Sequence, residues 1–305
     1  MMMKRLSLCS LFKIGCVTVM LTACGSSSNP QAAVEAWTDR AKEKVEQTVK
    51  EKVYAAIDEA QATASEESPE ASEGSTTLAS YAGVEIPHYT PSRGGQIIRH
   101  TGFTLSYDAD YKTPQWVAWE LTRSEAQGTE PRAKHFEPDP KVRGAKAYHK
   151  DYTGSGYDRG HIAPAADMKW SSQAMEESFY LSNICPQNRN LNRGDWKDLE
   201  ELERDWALRY GAVAITAGPI YKSSRPARIG ANRVAVPDAF YKVLLVGYPS
   251  APKAYGFVFR NEAGSRPLSS YQLTVDEVEQ ITGIDFFPLL PDDVENRIEA
   301  AKPSL

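Results

Sequence analysis

Gly156-Tyr157-Asp158-Arg159-Gly160-His161-Ile162-Ala163-Pro164 sets a histidine and an arginine between glycines and a proline. Such framing marks a constrained turn, not a helix interior. On this reading His161 is presented to solvent rather than packed. An imidazole with an ordinary pKa of about 6.5 suits a general base at neutral pH. Arg159 adds a planar, permanently charged fork that matches phosphate oxygens. A loop histidine alone is more often structural than catalytic, so the neighbouring segments decide.

Two segments follow: Tyr180-Leu181-Ser182-Asn183-Ile184-Cys185-Pro186-Gln187, then Leu191-Asn192-Arg193-Gly194-Asp195-Trp196-Lys197-Asp198-Leu199-Glu200. The pattern over 191–210 predicts one long helix, with Asn190 or Asn192 near its start and Gly211 after its end. On a continuous helix, Asn192 and Glu200 stand a little over two turns apart on adjoining faces. Asn192 can then offer an amide oxygen to a hard cation, and Glu200 can orient water on it. Mg²⁺ needs few protein ligands because it keeps several waters. Without their neighbours, Asn192 would read as a helix cap and Glu200 as a surface glutamate.

Around this centre, 96–99, 103–108, 115–122, 212–217, 232–236, 240–247 and 254–259 read as strands: alternating or β-rich, and bounded by turn residues. Segments 168–180, 275–282 and 292–300 read as helices. Strands, then helices, then strands indicate an α+β domain around a largely antiparallel sheet flanked by helices.

The chain has 305 residues, 41% hydrophobic and 10% aromatic, enough for one large core plus appendages. A mean hydropathy of −0.47 excludes a polytopic membrane protein. Four cysteines without a CxxC pair exclude a disulfide scaffold and a cysteine-rich zinc module. None of the five histidines forms an HxxxH pair, which argues against a zinc hydrolase.

Residues 1–23 have the charged start and short apolar run of a secretory leader. Leu21-Thr22-Ala23-Cys24 resembles a bacterial lipobox. That resemblance implies acylation at Cys24, palmitate included, and membrane anchoring. Gly25 in place of aspartate then favours the outer membrane of the cell envelope. Residues 24–80 read as a tether: an apolar stripe at Val34, Trp37, Ala41, Val45, Val49, Val53 and Ile57, then a Ser/Glu-rich linker. The stripe could pack on the domain, self-associate or lie on a membrane. Residues 81–305 form the remaining domain. The tether region 26–80 carries 5 basic and 11 acidic side chains against 27 and 29 in the domain. The domain is therefore near neutral, and its local basic run from Arg132 to Arg159 suits a polyanion as well as a solvated face. Of the four cysteines, Cys185 alone belongs to the domain, where a buried small hydrophobe is the simplest role.

Taken in order, Thr113–Thr122, Asp158–His161, Phe179 to Gln187, Leu191-Asn192 with Trp196 and Leu199-Glu200, Thr216-Ala217-Gly218-Pro219, and Val234 to Val243 resemble the DNA/RNA non-specific endonucleases. These are the ββα-metal nucleases that include endonuclease G. The resemblance runs over roughly 84–290 and implies the ββα-metal fold. It implies Mg²⁺ as cofactor, with Mn²⁺ as a substitute. It implies His161 as general base, Asn192 as the direct metal ligand and Glu200 as holder of the metal's water. Arg159 would contact phosphate. Asn183 would position either the histidine or the scissile phosphate. Arg132 would be a second phosphate arginine, with Lys134 and Arg143 as alternatives. DNA and RNA would both be substrates, 5′-phosphorylated ends the products, and a homodimer a permitted assembly. Contacts limited to phosphate and sugar carry no sequence information, and salt should weaken them. The competing readings are a catalytically inactive nucleic-acid-binding lipoprotein, which would need damage in the His161, Asn192 and Glu200 set, and an envelope lipoprotein that self-associates through the Val34–Ile57 stripe and needs no His161.

Overall fold

Alternation along the central strands builds the molecule. In the computed structural model, which describes residues 82–90 and 94–305, β1 (Gln96–Arg99), β2 (Thr104–Asp108) and β3 (Thr113–Thr122) form a meander. The chain then passes through the short helices α1 (Arg123–Ala126) and α2 (His149–Tyr152) to β4 (Asp158–His161). Next come α3 (Ser172–Ser178), β5 (Ile184–Gln187), α4 (Arg189–Arg193) and α5 (Asp195–Tyr210). Strand β6 (Ala212–Ile220) returns to the sheet, and β7 (Arg228–Ile229) and β8 (Val234–Ala235) form a small ribbon. The chain closes with β9 (Ala239–Val246), β10 (Lys253–Arg260), β11 (Gln272–Leu273), α6 (Val275–Thr282) and α7 (Asp292–Glu299).

The main sheet has seven strands in the order β1-β2-β3-β6-β9-β10-β11, and every neighbouring pair is antiparallel. This is the α+β architecture with a central antiparallel sheet that the sequence predicts. Successive side chains leave a strand on opposite faces. Val117, Trp119 and Leu121 of β3 and Phe240, Leu244 and Val246 of β9 join the core under α5, with Leu199, Leu202 and Trp206. Trp116, Ala118, Tyr241, Val243 and Leu245 face the other way, onto Val275, Val278, Phe286 and Ile298 of the C-terminal region. Strand β9 is buried along its whole length because both faces are covered.

One position breaks the apolar alternation. Lys242 lies on the α5 face of β9, fully buried, and its Nζ donates to Glu203 Oε2 of α5 at 2.8 Å. The same ammonium sits 4.7 Å from the ring centre of Trp196 and 5.4 Å from that of Trp119. Removing one partner of a buried pair strands the other charge. Lys242→Met is therefore expected to lower folding stability by about 3 kcal/mol, measured by urea unfolding. Lys242→Met with Glu203→Leu should recover most of that loss.

Three expectations are corrected here. Asp158–His161 is a short strand, not a turn: β4 pairs antiparallel with β5, Asp158 opposite Gln187 and His161 opposite Ile184. The helix expected over 191–210 is two helices, α4 and α5, separated at Gly194. Gly194 turns with φ −114° and ψ −116°, and a Cβ there would come within 2.7 Å of the Asn190 carbonyl oxygen. The cap of α4 is Asn188, whose Oδ1 accepts from the Asn190 and Leu191 amides, so Asn192 is not spent as a cap. The leader, the lipobox with Cys24, and the apolar stripe lie outside the described residues. Cys185 is buried with a free thiol, as expected, and burial pushes that thiol up.

Candidate active site

The β4–β5 ribbon and the helix pair after it gather the expected residues. Gly160 is what lets the two strands close: a Cβ there would stand 2.6 Å from Gln187 Cβ and 2.1 Å from Gln187 Oε1. Any larger residue would push β5 away from the strand that carries His161.

His161 ends β4 and is packed, only 7% exposed, contrary to the expectation of a presented side chain. Its ring lies edge-on to Phe179 at 4.7 Å and tilted against Phe136 at 5.3 Å. Nε2 is buried and has no hydrogen-bond partner. Burial, reinforced by the Arg132 charge, brings its pKa down to about 3. The imidazole is thus held neutral, the form that accepts a proton. A phosphate placed against Arg132 would offset part of that depression.

Asn183 fixes the segment that follows His161. Its Oδ1 accepts from the Ala163 amide at 2.9 Å, and its Nδ2 donates to the Ala163 and Ser178 carbonyls, each at 2.9 Å. The side chain is fully buried and spent on backbone. Its bonds go to the backbone just after His161 and to the end of α3.

Arg132 lies over the outer side of the same aromatic frame, its guanidinium carbon 5.0 Å from the Phe179 ring centre. Its charge acts on both His161 and Glu200. No such link is present for Lys134 or Arg143 among the described residues. The loop bearing Arg132 and Phe136 is pinned further along. Asp139 accepts from Ser182 Oγ at 2.6 Å and the Lys141 amide at 2.8 Å, and lies 2.9 Å from His100 Nε2. Glu137 bridges Tyr180. Arg159 lies over Phe136, its guanidinium carbon 5.8 Å from the ring centre, and its Nη2 donates to the His149 carbonyl and to Thr153 Oγ1. The same Nη2 lies 3.2 Å from His149 Nε2. Burial, the Arg159 charge and His135 lower the His149 pKa, so its neutral ring can accept that bond.

Asn192 belongs to α4 and pairs with β4, not with Glu200. Its Nδ2 donates to Asp158 Oδ2 at 3.2 Å. A carboxylate only accepts, so the amide nitrogen must face Asp158 and Oδ1 is turned outward. Asp158 is itself held by Arg193 at 2.9 Å and Arg189 at 3.4 Å. Burial opposes its ionisation, but the bonds from Arg193 and Asn192 prevail and hold its carboxyl below the usual range. An oriented amide oxygen beside an ionised carboxylate is a hard-oxygen donor set and fits a Mg²⁺ ion.

Glu200 stands one turn into α5, half-buried. Burial raises its pKa to about 7 against the pull of Lys242, Arg204 and Arg132, with Asp167 adding to the rise. Arg204 is held by Asp167 at 2.9 Å, and Asp167 accepts from Trp119 Nε1 at 3.0 Å. The polar floor of the site is therefore tied to β3 and β9 of the main sheet.

Residues 81–293 match the family model of the DNA/RNA non-specific endonucleases. The chain belongs to that family. It is 38% identical over 226 residues to the human mitochondrial nuclease EXOG, covering 68% of this chain and 61% of EXOG. It is 32% identical over 221 residues to human mitochondrial endonuclease G, covering 67% of this chain and 73% of that one. A solved structure of an EndoG/EndoGI complex superposes with a TM-score of 0.60 at 31% identity, over 64% of this chain and 86% of the other. The chain thus spans about three fifths of the length of its EXOG relatives. These relatives are mitochondrial nucleases, which overturns the bacterial outer-membrane location expected from the lipobox. The matched segment begins at residue 81, beyond the lipobox.

The aromatic frame of this endonuclease-family site was not assigned any role from sequence. Phe179 lies within a family motif and Phe136 four residues after Arg132, but an aromatic near a motif gives no signal of which side chain it will cover. Asp158 was read only as part of its tetrapeptide, although its spacing from Arg159 and His161 on one strand puts it near Asn192 once β4 and β5 pair.

Proposed function

We propose that residues 81–305 act as a Mg²⁺-dependent endonuclease that hydrolyses phosphodiester bonds of DNA and RNA and leaves 5′-phosphorylated ends. The observation that carries this reading is the convergence around the β4–β5 ribbon of a neutral, buried His161, two arginines against its aromatic frame, and an Asn192 amide oxygen held outward by Asp158. Family membership supports the same chemistry.

In this reading His161 Nε2 takes a proton from the attacking water. Phe136 and Phe179 keep the imidazole dry and fixed in plane. Asn183 holds the backbone of Ile162 and Ala163, and so the end of β4. Arg132 and Arg159 neutralise the phosphate oxygens as charge develops. Asn192, oriented by Asp158, would hold a Mg²⁺ ion with Glu200 on its water shell, and the ion would neutralise charge on the phosphate and the leaving 3′ oxygen. None of these groups reads a base edge, which supports cleavage without sequence preference.

The test is cleavage of circular plasmid DNA and of RNA by the full chain, with Mg²⁺ and with excess chelator. Metal-dependent nicking, linearisation and RNA loss are expected. Binding without cleavage under every divalent metal would favour the inactive binding module instead. Cleavage should also fall steeply with added salt, because phosphate binding releases counterions. A rate unchanged between 50 and 200 mM salt, as about the range over which such binding weakens, would contradict the arginine roles.

A further inference from the structure

A second acidic centre lies at the C-terminal helices, apart from every residue used above. Asp276 and Glu279 project from α6, and Glu299 is the last residue of α7. One carboxylate oxygen from each lies within 4.8 Å of the other two. Glu299 is only 5% exposed, and its Oε1 is buried with no hydrogen-bond partner. Among the described residues, no lysine, arginine or histidine pairs with any of the three. Asp285 and Glu295 add further negative charge from nearby, and His88 is spent on Asp285. Glu279 also accepts from the Phe286 amide at 2.8 Å through Oε1, which fixes its carboxylate.

The arrangement is costly as it stands. Burial and the neighbouring carboxylates raise the Glu299 pKa to about 9 and the Glu279 pKa to about 7. Glu299 also sits at the negative end of its helix, where a carboxylate is disfavoured and a cation favoured. An unpaired buried charge persists only with a partner or a proton. Oxygens on opposite sides of a calcium ion are separated by about 4.6–5.2 Å, twice a Ca–O distance. The observed spread of the three oxygens falls within that reach. Calcium also tolerates the mixed, irregular oxygen sets that two helices provide.

We propose that Asp276, Glu279 and Glu299 hold a hard divalent cation of the calcium type, which pins α7 to α6. The cation replaces the missing partner of Glu299 Oε1 and cancels the repulsion among the three carboxylates. Both helices pack against the face of the sheet carrying Tyr241 and Val243, so the ion acts on stability rather than on the reacting phosphate. Glu299 lies beyond the segment matched by the family model, so this centre is not part of the shared motif set.

The test uses the full chain, stripped with chelator and dialysed, in thermal unfolding and calorimetric titration with calcium chloride at pH 7.5. One site should titrate, and 1 mM calcium should raise Tm by about 5 °C if it exceeds the dissociation constant roughly 100-fold. Asn192→Ala should keep that rise, which separates it from the catalytic metal. Glu299→Gln and Asp276→Asn should each abolish it. In chelator, Glu299→Gln should melt no lower than the parent, because the amide replaces a carboxyl that burial and its neighbours already keep protonated; its lost response is then not a folding defect. The proposal is overturned if calcium leaves the parent Tm unchanged, if the variants respond equally, or if magnesium alone produces the shift.

Discussion

His161→Ala is expected to lower cleavage of plasmid DNA and of RNA by about 10²–10⁴-fold, the contribution of one positioned proton acceptor. Nucleic-acid affinity should stay within a few-fold of the parent, because Arg132 and Arg159 reach the frame from loops and strands that the substitution leaves intact. Single-turnover rates and filter binding on the same substrate separate the two quantities. Near-normal cleavage would remove His161 from the mechanism. The variant should also change acid stability, and the sign is fixed. His161 has a folded pKa of about 3 against an ordinary value of 6.5. The unfolded chain therefore binds the extra proton first, and stability falls as pH drops from about 6.5 toward 3. His161→Gln should flatten that part of the unfolding profile. A parent and variant with parallel profiles would mean that the imidazole is not held neutral by its surroundings.

Asn192→Ala is expected to cost at least about 100-fold in cleavage at limiting Mg²⁺, with partial recovery at high metal. Removing all divalent metal should abolish cleavage in both proteins. The reason is the clamp between Asn192 Nδ2 and Asp158. It commits the nitrogen and turns Oδ1 outward, so truncation removes an oriented neutral oxygen at that end of the ribbon. Asp158→Asn should show the same defect in milder form, about 10–100-fold in metal affinity, because an amide partner no longer dictates which way Asn192 faces. Rates measured across a Mg²⁺ titration for the three proteins test this. Superimposable titration curves would reassign the ligand.

The readable part of this protein is the part governed by local pattern. Strand 96–99 and helix 275–282 come out with their own boundaries, and β2, β3, β6, β9 and β10 shift by only a few residues, because alternation over Trp116–Leu121 or Phe240–Val246 is a property of neighbours along the chain, whereas the two-residue edge strand β11 is too short to show a pattern. The family motifs were equally legible, since residue identity at short spacing is all that they require. The helix break at Gly194 was not. Isolated glycine is tolerated within a helical pattern, and only the close approach of Gly194 to the Asn190 carbonyl shows that the chain turns there.

The buried state of His161 is not legible in the sequence. A histidine between glycines looks exposed because glycine contributes no side chain to cover it. Its cover comes from Phe136, 25 residues earlier, and Phe179, 18 residues later, brought together by the Glu137–Tyr180 bridge and the bonds of Asp139. The sequence alone determined the α+β class and six of the seven main-sheet strands. Tertiary structure decided the rest: that His161 is buried and neutral, that Asn192 faces Asp158 rather than sharing a helix with Glu200, and that Glu299 meets Asp276 and Glu279. Burial and ion pairing depend on segments far apart in the chain that meet only when the sheet and ribbon close, whereas strand alternation and motif identity are complete within a few consecutive residues.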